Sequence, residues 1–338
     1  SNKSLSSLKK AHLKDHSGIF NRVSFNLGED ADNSITTDER LNNIKEGGID
    51  NGLITTYFQY GRYLLMGSSR KPGVLPANLQ GLWNNHFNAP WNADFHTNIN
   101  LQMNYWPAEV CNLSETSIVL TNFMEKLMVP GSVTASKMYG TKGWTLHHLT
   151  DPFGRTGVAD GVWGITPLDG PWMTFPVYRH FEFNKDTSYL RRIYPMLKGS
   201  AEFVKDFLVE SPEGYLVSSP SHSPENAFFV PDTDRKERSS LTYAATTDIQ
   251  IINKLFEILI EASETLDIDH DFADELSMMK DKLPPLQIGQ NGTIQEWIED
   301  YEEVEVGHRH MSHLLGLYPL SQITQNEPKL FEAAKSTL

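Results

Sequence analysis

The sequence has few of the features that mark disulfide-stabilised, nucleic-acid-binding or membrane proteins. Its 338 residues include one cysteine, Cys111, which excludes an intrachain disulfide and a cysteine-based metal site. The formal net charge of -14 argues against nucleic acid and anionic membranes as partners, since both need clustered Lys and Arg. An apolar run of about eighteen residues, which would predict a membrane span, is absent from the sequence. With 39% hydrophobic and 21% charged residues, the composition is typical of a globular protein with a large core.

The segment of residues 75–115 is the most informative part of the chain. It contains three Trp, two Gln and two His among many Asn, and it has few charged residues. Asn and Gln offer a donor and an acceptor at one tip, which matches sugar hydroxyls, and Trp offers a flat apolar face for the C–H side of a sugar ring. A nucleotide site would instead need glycine-rich loops or basic residues. The segment therefore predicts a carbohydrate pocket.

Hydrophobic periodicity predicts a mostly helical chain without strands of any length. Two stretches, residues 140–172 and 216–238, lack helical period and indicate long ordered loops, which in compact proteins are usually functional. We expect helices within 1–20, from Thr37 in the otherwise acidic loop of 28–50, and from Leu53 over about four turns. Further helices are expected within 98–109 and within 114–128, the latter with a stop at Pro130-Gly131. The remaining ones are expected within 172–183, within 187–208 after the N-cap Asp186, within 247–265 and within 272–283. Helices that alternate with long loops favour an α/α toroid with its chemistry gathered in loops at one end.

Glu225, in the sequence SPSHSPEN (219–226), is the best candidate for a proton donor. Hydrolysis of a glycosidic bond needs an acid on the leaving oxygen and either a nucleophile or an activated water on the opposite face. Two prolines stiffen this loop, and the neighbouring Ser and His can orient a carboxyl group. The alternative is that Glu225 is only an acidic residue in the first turn of a helix.

Asn98 and Asn100 lie two residues apart, so an extended chain would aim both side chains at the same side. His96 shares this parity and would line the same wall. The alternative is that Asn98 caps the following helix.

The histidine-rich sequence HRHMSHL (308–314) invites a metal interpretation, but Arg309 would repel a cation. A network of histidines, carboxylates and sugar hydroxyls is the better interpretation, with structural histidines as the alternative. No metal and no organic cofactor is predicted. Three indoles are candidates for sugar stacking, although the usual place of a Trp is the core: Trp106, Trp163 and Trp172.

Five strings of residues resemble glycoside hydrolase family 95. They are FQYGRYLLMGSSR (58–70), LPANLQGLWN (75–84), NINLQMNYWPAEVCNLSE (98–115), SPSHSPEN (219–226) and HRHMSHLLGLYP (308–319). The members of this family are inverting α-L-fucosidases, with some α-L-galactosidases, built on an (α/α)6 barrel. The strings occur in the family's order, and the long run through NYWPAE is very specific.

The resemblance implies a role for each candidate residue. It assigns Glu225 as the general acid, Asn98 and Asn100 as the pair that holds the attacking water, His96 as the neighbour of the sugar C5 substituent, and Arg309, His310 and Trp172 as sugar-contacting residues. A smaller residue in place of His96 goes with galactosidase activity, so this histidine favours an α-L-fucoside. In the family an Asp further along the chain supplies the basicity that an amide lacks, and we find no counterpart before Leu338.

The expected fold is therefore all-α, an (α/α)6 toroid that is incomplete at its C-terminal end. Residues 1–20 are expected to form a linker helix, and residues 21–338 the N-terminal and central part of the catalytic domain, with further β-domains in the full-length chain. The expected activity is removal of terminal α-L-fucose, α-1,2-linked to galactose, from an oligosaccharide or glycan. The alternatives are an α-L-galactosidase of the same family and a non-catalytic fucose-binding homologue.

Export to the periplasm or the exterior of a bacterium is expected, although the sequence contains no signal-peptide pattern. The opening Ser1 and Asn2 resemble a cloning remnant, which suggests that a leader was removed. Without the Asp that the resemblance places beyond Leu338, the piece is expected to be inactive alone.

Overall fold

A computed structural model gives the fold and describes residues 3–28, 34–233 and 237–338. Ser1 and Asn2, and residues 29–33 of the expected acidic loop, lie outside the described residues. The chain divides into two compact units, one formed by Ser1–Ala93 and Met103–Phe123, the other by Asp94–Gln102 and Met124–Leu338. We call them unit 1 and unit 2.

The described chain is mostly helical, and the expected all-α class is confirmed. Its α-helices are α1 (Leu5–Phe20), α2 (Thr37–Lys45), α3 (Asn51–Ser68), α4 (Asn100–Val110), α5 (Ser114–Thr134), α6 (Asp169–Asn184), α7 (Thr187–Phe207), α8 (Thr246–Leu266), α9 (His270–Lys280) and α10 (Pro328–Thr337). Of the helices described, none is long and apolar enough to cross a membrane.

In unit 1, a buried arginine ties helix α1 to helix α3. The Nη1 atom of Arg62 donates to the Phe20 carbonyl at 2.9 Å and to the Gln59 side chain at 2.7 Å. Its guanidinium also lies 5.5 Å from the centre of the Phe20 ring. A buried guanidinium needs acceptors for its five donors, and here the last carbonyls of α1 supply some of them.

In unit 2, helices α6, α7, α8 and α9 pack on one another and form most of the core. The predicted N-cap of α7 is confirmed, because the Asp186 carboxylate accepts a hydrogen bond from the Ser188 backbone N–H at 2.8 Å. Apolar side chains at helical spacing, such as Leu190, Ile193 and Leu197, are fully buried on the inner face of α7.

The strands that the structure describes are two residues long and form four antiparallel pairs, all in unit 2. They are β1 (Phe95–His96) with β2 (Leu149–Thr150), β3 (Val209–Glu210) with β4 (Leu216–Val217), β5 (Ser221–His222) with β8 (Leu241–Thr242), and β6 (Phe228–Phe229) with β7 (Arg238–Ser239). Such short ladders clip loops together and add little to the core.

The expected stop of α5 at Pro130-Gly131 is wrong, because this helix continues to Thr134 and into a π-turn over Ala135–Tyr139. Proline removes one backbone donor from a helix, but burial of Leu127 and Ala135 on either side offsets that loss. Gly131 is needed there because a Cβ atom would lie 2.8 Å from the carbonyl oxygen of Thr145.

Candidate active site

Glu225 lies on the short connection between β5 and β6, and its side chain is 32% exposed. It forms an ion pair with Arg309, and the Nε2 atom of His310 lies 3.6 Å from its Oε2 atom. The neighbouring His310 is the main cause that lowers the pKa of Glu225 to about 2, with a further contribution from Arg309. As placed, the Glu225 carboxyl is therefore ionised at neutral pH.

Residues 308–312 hold Glu225 and its loop from one side. The Nη1 atom of Arg309 lies 3.3 Å from the His308 Nε2 atom, and the His310 backbone N–H donates to His308 Nδ1 at 3.2 Å. Ser312 donates its hydroxyl hydrogen to the Pro224 carbonyl at 3.0 Å. The structure thus brings together three of the predicted site residues, namely Glu225, Arg309 and His310.

A buried glutamate, Glu296, supports the same loop from the other side. Its Oε1 atom accepts from the Ser223 hydroxyl at 2.6 Å, and its Oε2 atom accepts from the Asn226 amide at 2.8 Å. Burial raises the pKa of Glu296 to about 7. The sequence analysis missed this residue, because it stands among several other acids in residues 296–303 and only the fold buries it.

Asp248, in the first turn of α8, is a second buried acid that the sequence analysis missed. Its Oδ2 atom accepts from the hydroxyls of Ser218 at 2.9 Å and of Ser221 at 2.6 Å. Burial raises its pKa to about 7. Together, Asp248 and Glu296 bind three of the serines in residues 218–223, so carboxylates hold the chain on its way to Glu225.

The predicted water-holding segment lies directly after β1. His96 pairs with Leu149 of β2, and its Nδ1 atom lies 2.5 Å from the Asp94 carboxylate. The assumption of an extended chain at Asn98 and Asn100 is wrong, because Asn98 is in a turn and Asn100 begins α4. The turn is fixed at Thr97, whose backbone N–H donates to the backbone carbonyl of His148 at 2.7 Å.

Asn98 is 3% exposed, and its Oδ1 atom is buried without a hydrogen-bond partner. A helix cap would accept a backbone N–H at this atom, so the capping alternative for Asn98 gains no support. Asn100 is exposed. A buried amide oxygen without a partner costs free energy, and such an atom is often found where function requires it.

Three imidazoles connect the His96 loop to the Glu225 loop. The rings of His96 and His148 meet edge to face with their centres 5.7 Å apart. His148 interacts electrostatically with His222, and His222 in turn with Glu225. Burial lowers the pKa of His222 to about 4, so this ring is neutral at physiological pH.

The candidate stacking residues differ in exposure. Trp172 is 2% exposed within α6, so it does not offer the free face that sugar stacking requires. Trp163 is 48% exposed, and its ring centre lies 5.8 Å from that of His222. Trp106 belongs to α4 in unit 1. Of the two candidate indoles in unit 2, Trp163 is therefore the one with an exposed face, and it lies beside His222.

A comparison with sequence families decides the relationship that these residues suggest. The family described as "Glycosyl hydrolase family 95 catalytic domain" matches residues 4–338. The chain belongs to glycosyl hydrolase family 95. The predicted resemblance is therefore confirmed.

Relatives within this family carry fucosidase names. "Alpha-L-fucosidase 2" of Arabidopsis thaliana is 39% identical over 345 residues, which cover 99% of this chain and 40% of that protein. "Probable alpha-fucosidase A" of Aspergillus niger is 35% identical over 351 residues, which cover 99% of this chain and 43% of that protein. The family 95 chain thus spans less than half the length of these curated relatives.

A solved structure shares the fold of this family 95 chain. "Putative kojibiose phosphorylase from human microbiome" superimposes with a TM-score of 0.54 over 99% of this chain and 53% of that protein, at 11% identity. This likeness concerns the fold alone and is consistent with the expected helical toroid class.

Proposed function

We propose that the protein containing this chain is an inverting exo-α-L-fucosidase that removes terminal fucose, α-1,2-linked to galactose, from glycans. The observation that carries the proposal is the position of Glu225, a partly exposed carboxyl group on a braced loop, in contact with Arg309 and His310. The fucosidase names of the relatives support the choice of sugar. A neutral glycan also suits a chain with a net charge of -14.

In the proposed reaction, a water molecule held by Asn98 and Asn100 attacks C1 of the fucose. The new C1–O bond forms on the face opposite the leaving group, and the glycosidic C1–O bond breaks with its electron pair moving to the leaving oxygen. Glu225 donates a proton to that oxygen. An amide is too weak a base to take the water proton, and the family resemblance assigns this role to an Asp further along the chain.

Glu225 must gain a proton before it can act as the acid, because the pairing with His310 and Arg309 holds its pKa at about 2. A general acid works best with a pKa near the operating pH. We infer that sugar hydroxyls and the leaving oxygen take over the hydrogen bonds of Arg309 and His310 when a glycan enters. Loss of these two contacts and loss of water both raise the pKa of the Glu225 carboxyl group.

The preference for fucose over L-galactose is proposed to depend on His96. L-Galactose carries a hydroxymethyl group at C5 where fucose has a methyl group. The His96 ring is held by Asp94 and by the edge of His148, so it cannot turn away without breaking both contacts. A fixed ring of this size leaves room for a methyl group and excludes the larger substituent.

The deciding experiment uses the full-length protein and a panel of fucosylated glycans that includes 2'-fucosyllactose. We expect wild-type protein to release fucose with inverted anomeric configuration, as followed by NMR, and Glu225→Gln to lose turnover while it still binds fucose. Turnover retained by Glu225→Gln would contradict the acid assignment. Binding without turnover by the wild-type protein would instead support the non-catalytic homologue.

The natural setting is a separate proposal. We infer a bacterial protein that is exported to the periplasm or the cell exterior, where free glycans occur, and that carries β-domains in addition to this helical part. Cell fractionation with an antibody against the full-length protein tests the compartment.

A further inference from the structure

Glu296 accepts hydrogen bonds from the Glu225 loop on both sides of Glu225. Ser223, two residues before Glu225, donates to one oxygen of Glu296 at 2.6 Å, and Asn226, one residue after it, donates to the other at 2.8 Å. Ser223, Asn226 and Glu296 are all buried, whereas the Glu225 side chain is partly exposed. The buried carboxyl group of Glu296 therefore fixes the chain around Glu225, while the Glu225 carboxyl group lies outside this clamp in contact with Arg309.

The clamp uses Glu296 as a double acceptor, which is the pattern of an ionised carboxyl group. With a pKa of about 7, this group is about half ionised at neutral pH and mostly ionised above it. A carboxamide in its place can still accept from the Asn226 amide, but its NH2 group then faces the Ser223 hydroxyl, whose own hydrogen loses its buried acceptor. The nearby His313 does not compensate the charge, because its Nδ1 atom lies 3.7 Å from Glu296 and burial lowers its pKa to about 4.

We propose that Glu296 is a positioning residue, whose two hydrogen bonds to Ser223 and Asn226 set the orientation in which Glu225 delivers its proton. Its effect on catalysis rests on the proposed glycosidase function, whereas its effect on the loop does not. Small errors of placement matter at such a site, since a shift of about 1 Å in a reacting group can lower a rate by about a hundredfold.

The test compares Glu296→Gln, Ser223→Ala and the double variant in the full-length protein, with Glu109→Gln as the matched control. Glu109 is also a buried glutamate that accepts from two serines, Ser114 at 2.5 Å and Ser117 at 2.6 Å, and it lies outside the Glu225 loop. Two quantities are measured for each variant: kcat and KM on 2'-fucosyllactose, and backbone hydrogen exchange in residues 221–227.

For Glu296→Gln we expect kcat to fall by at least about tenfold with KM changed by less than about threefold, because orientation and not sugar binding is lost. Exchange in residues 221–227 should accelerate. The double variant should be no slower than Glu296→Gln alone, since both changes break the same clamp. Glu109→Gln should leave exchange in residues 221–227 unchanged.

The proposal is overturned if exchange in residues 221–227 is the same in Glu296→Gln as in wild type or Glu109→Gln. It is equally overturned if exchange rises but kcat stays at the wild-type value. The same holds if the effects of Glu296→Gln and Ser223→Ala on kcat multiply in the double variant. Should wild-type protein release no fucose, the proposed function fails, and the exchange data still decide whether Glu296 holds the loop.

Discussion

The Nε2 atom of His310 lies 3.6 Å from the Oε2 atom of Glu225, and His310 is the main reason that the pKa of Glu225 is about 2. The proposed proton donor is thus ionised at neutral pH beside a residue that the family resemblance assigns to sugar contact. On the proposed mechanism, the sugar takes the place of His310 before Glu225 gains its proton.

Replacement of His310 by Gln should raise the pKa of Glu225, since the largest cause of its lowering is removed. We expect the alkaline limb of kcat/KM, which reports the acid in the free enzyme, to move up by about one pH unit. The measurement is a pH–rate profile of the full-length protein on 2'-fucosyllactose. His270→Gln, on an exposed residue at the start of α9, is the control and should leave the limb in place. An unchanged limb in His310→Gln would refute the assigned cause.

A smaller residue at position 96 should widen the sugar pocket. We expect His96→Ser to change the ratio of kcat/KM for α-L-galactoside over α-L-fucoside by about tenfold in favour of galactoside, the usual scale for one small substituent in a pocket. The two p-nitrophenyl glycosides provide the assay. His86→Ser, on an exposed residue of unit 1, should leave the ratio unaltered. A loss of both activities in proportion would mean that His96 does not face C5.

Helices were predictable because their signals are local. Asp186 precedes an apolar repeat and caps α7 as expected. The stop predicted at Pro130 was wrong because the continuation of α5 depends on contacts that are not local. These are the burial of Leu127 and the close approach of Gly131 to Thr145 in the following loop. Propensity states what a segment prefers alone, and tertiary packing overrode it here.

The candidate site divides in the same way. Glu225, Arg309 and His310 stood out through their local sequence and the family resemblance, and the structure places them in contact. Glu296 and Asp248 did not stand out, because an acid acquires its role only when the chain brings it to serines 73 and 27 residues away. Trp172 illustrates the converse, since its burial within α6 depends on helices that follow it.

Gly143 should tolerate no side chain. A Cβ atom at this position would lie 1.9 Å from the Gly199 carbonyl oxygen, and its φ of +68° is unfavourable for other residues. We expect Gly143→Ala to lower the free energy of unfolding by about 3 kcal/mol, measured by urea denaturation. Gly157→Ala is the matched control, because nothing lies within 4 Å of its added Cβ atom, and its effect should stay below about 1 kcal/mol. Equal effects would contradict the packing argument.

Asp248 should make stability fall as pH rises. Its pKa is about 7 in the folded protein against 3.8 ordinarily, so between these values the folded state binds more protons than the unfolded state. Between about pH 5 and 8, we expect the unfolding free energy of Asp248→Asn, relative to that of wild type, to rise by on the order of 3 kcal/mol.

The comparison of Asp248→Asn with wild type is needed because buried histidines act in the opposite direction. Burial lowers the pKa of His147 and His222 to about 4, so these residues make the folded protein less stable as pH falls below about 6.5. Denaturation curves for both proteins and for Asp274→Asn, an exposed acid of α9, provide the data. Parallel pH curves for wild type and Asp248→Asn would disprove the prediction.

The strand pairs of unit 2 extend over two residues each, so the loops around Glu225 do not belong to any large sheet. The loop before Glu225 is instead tied to α8, because Asp248 in the first turn of that helix accepts from Ser218 and Ser221. A change in the length of this loop would therefore be transmitted to the start of α8. For protein engineering, a segment transplanted into this position must bring matching serines with it, so that Asp248 and Glu296 keep their hydrogen-bond donors.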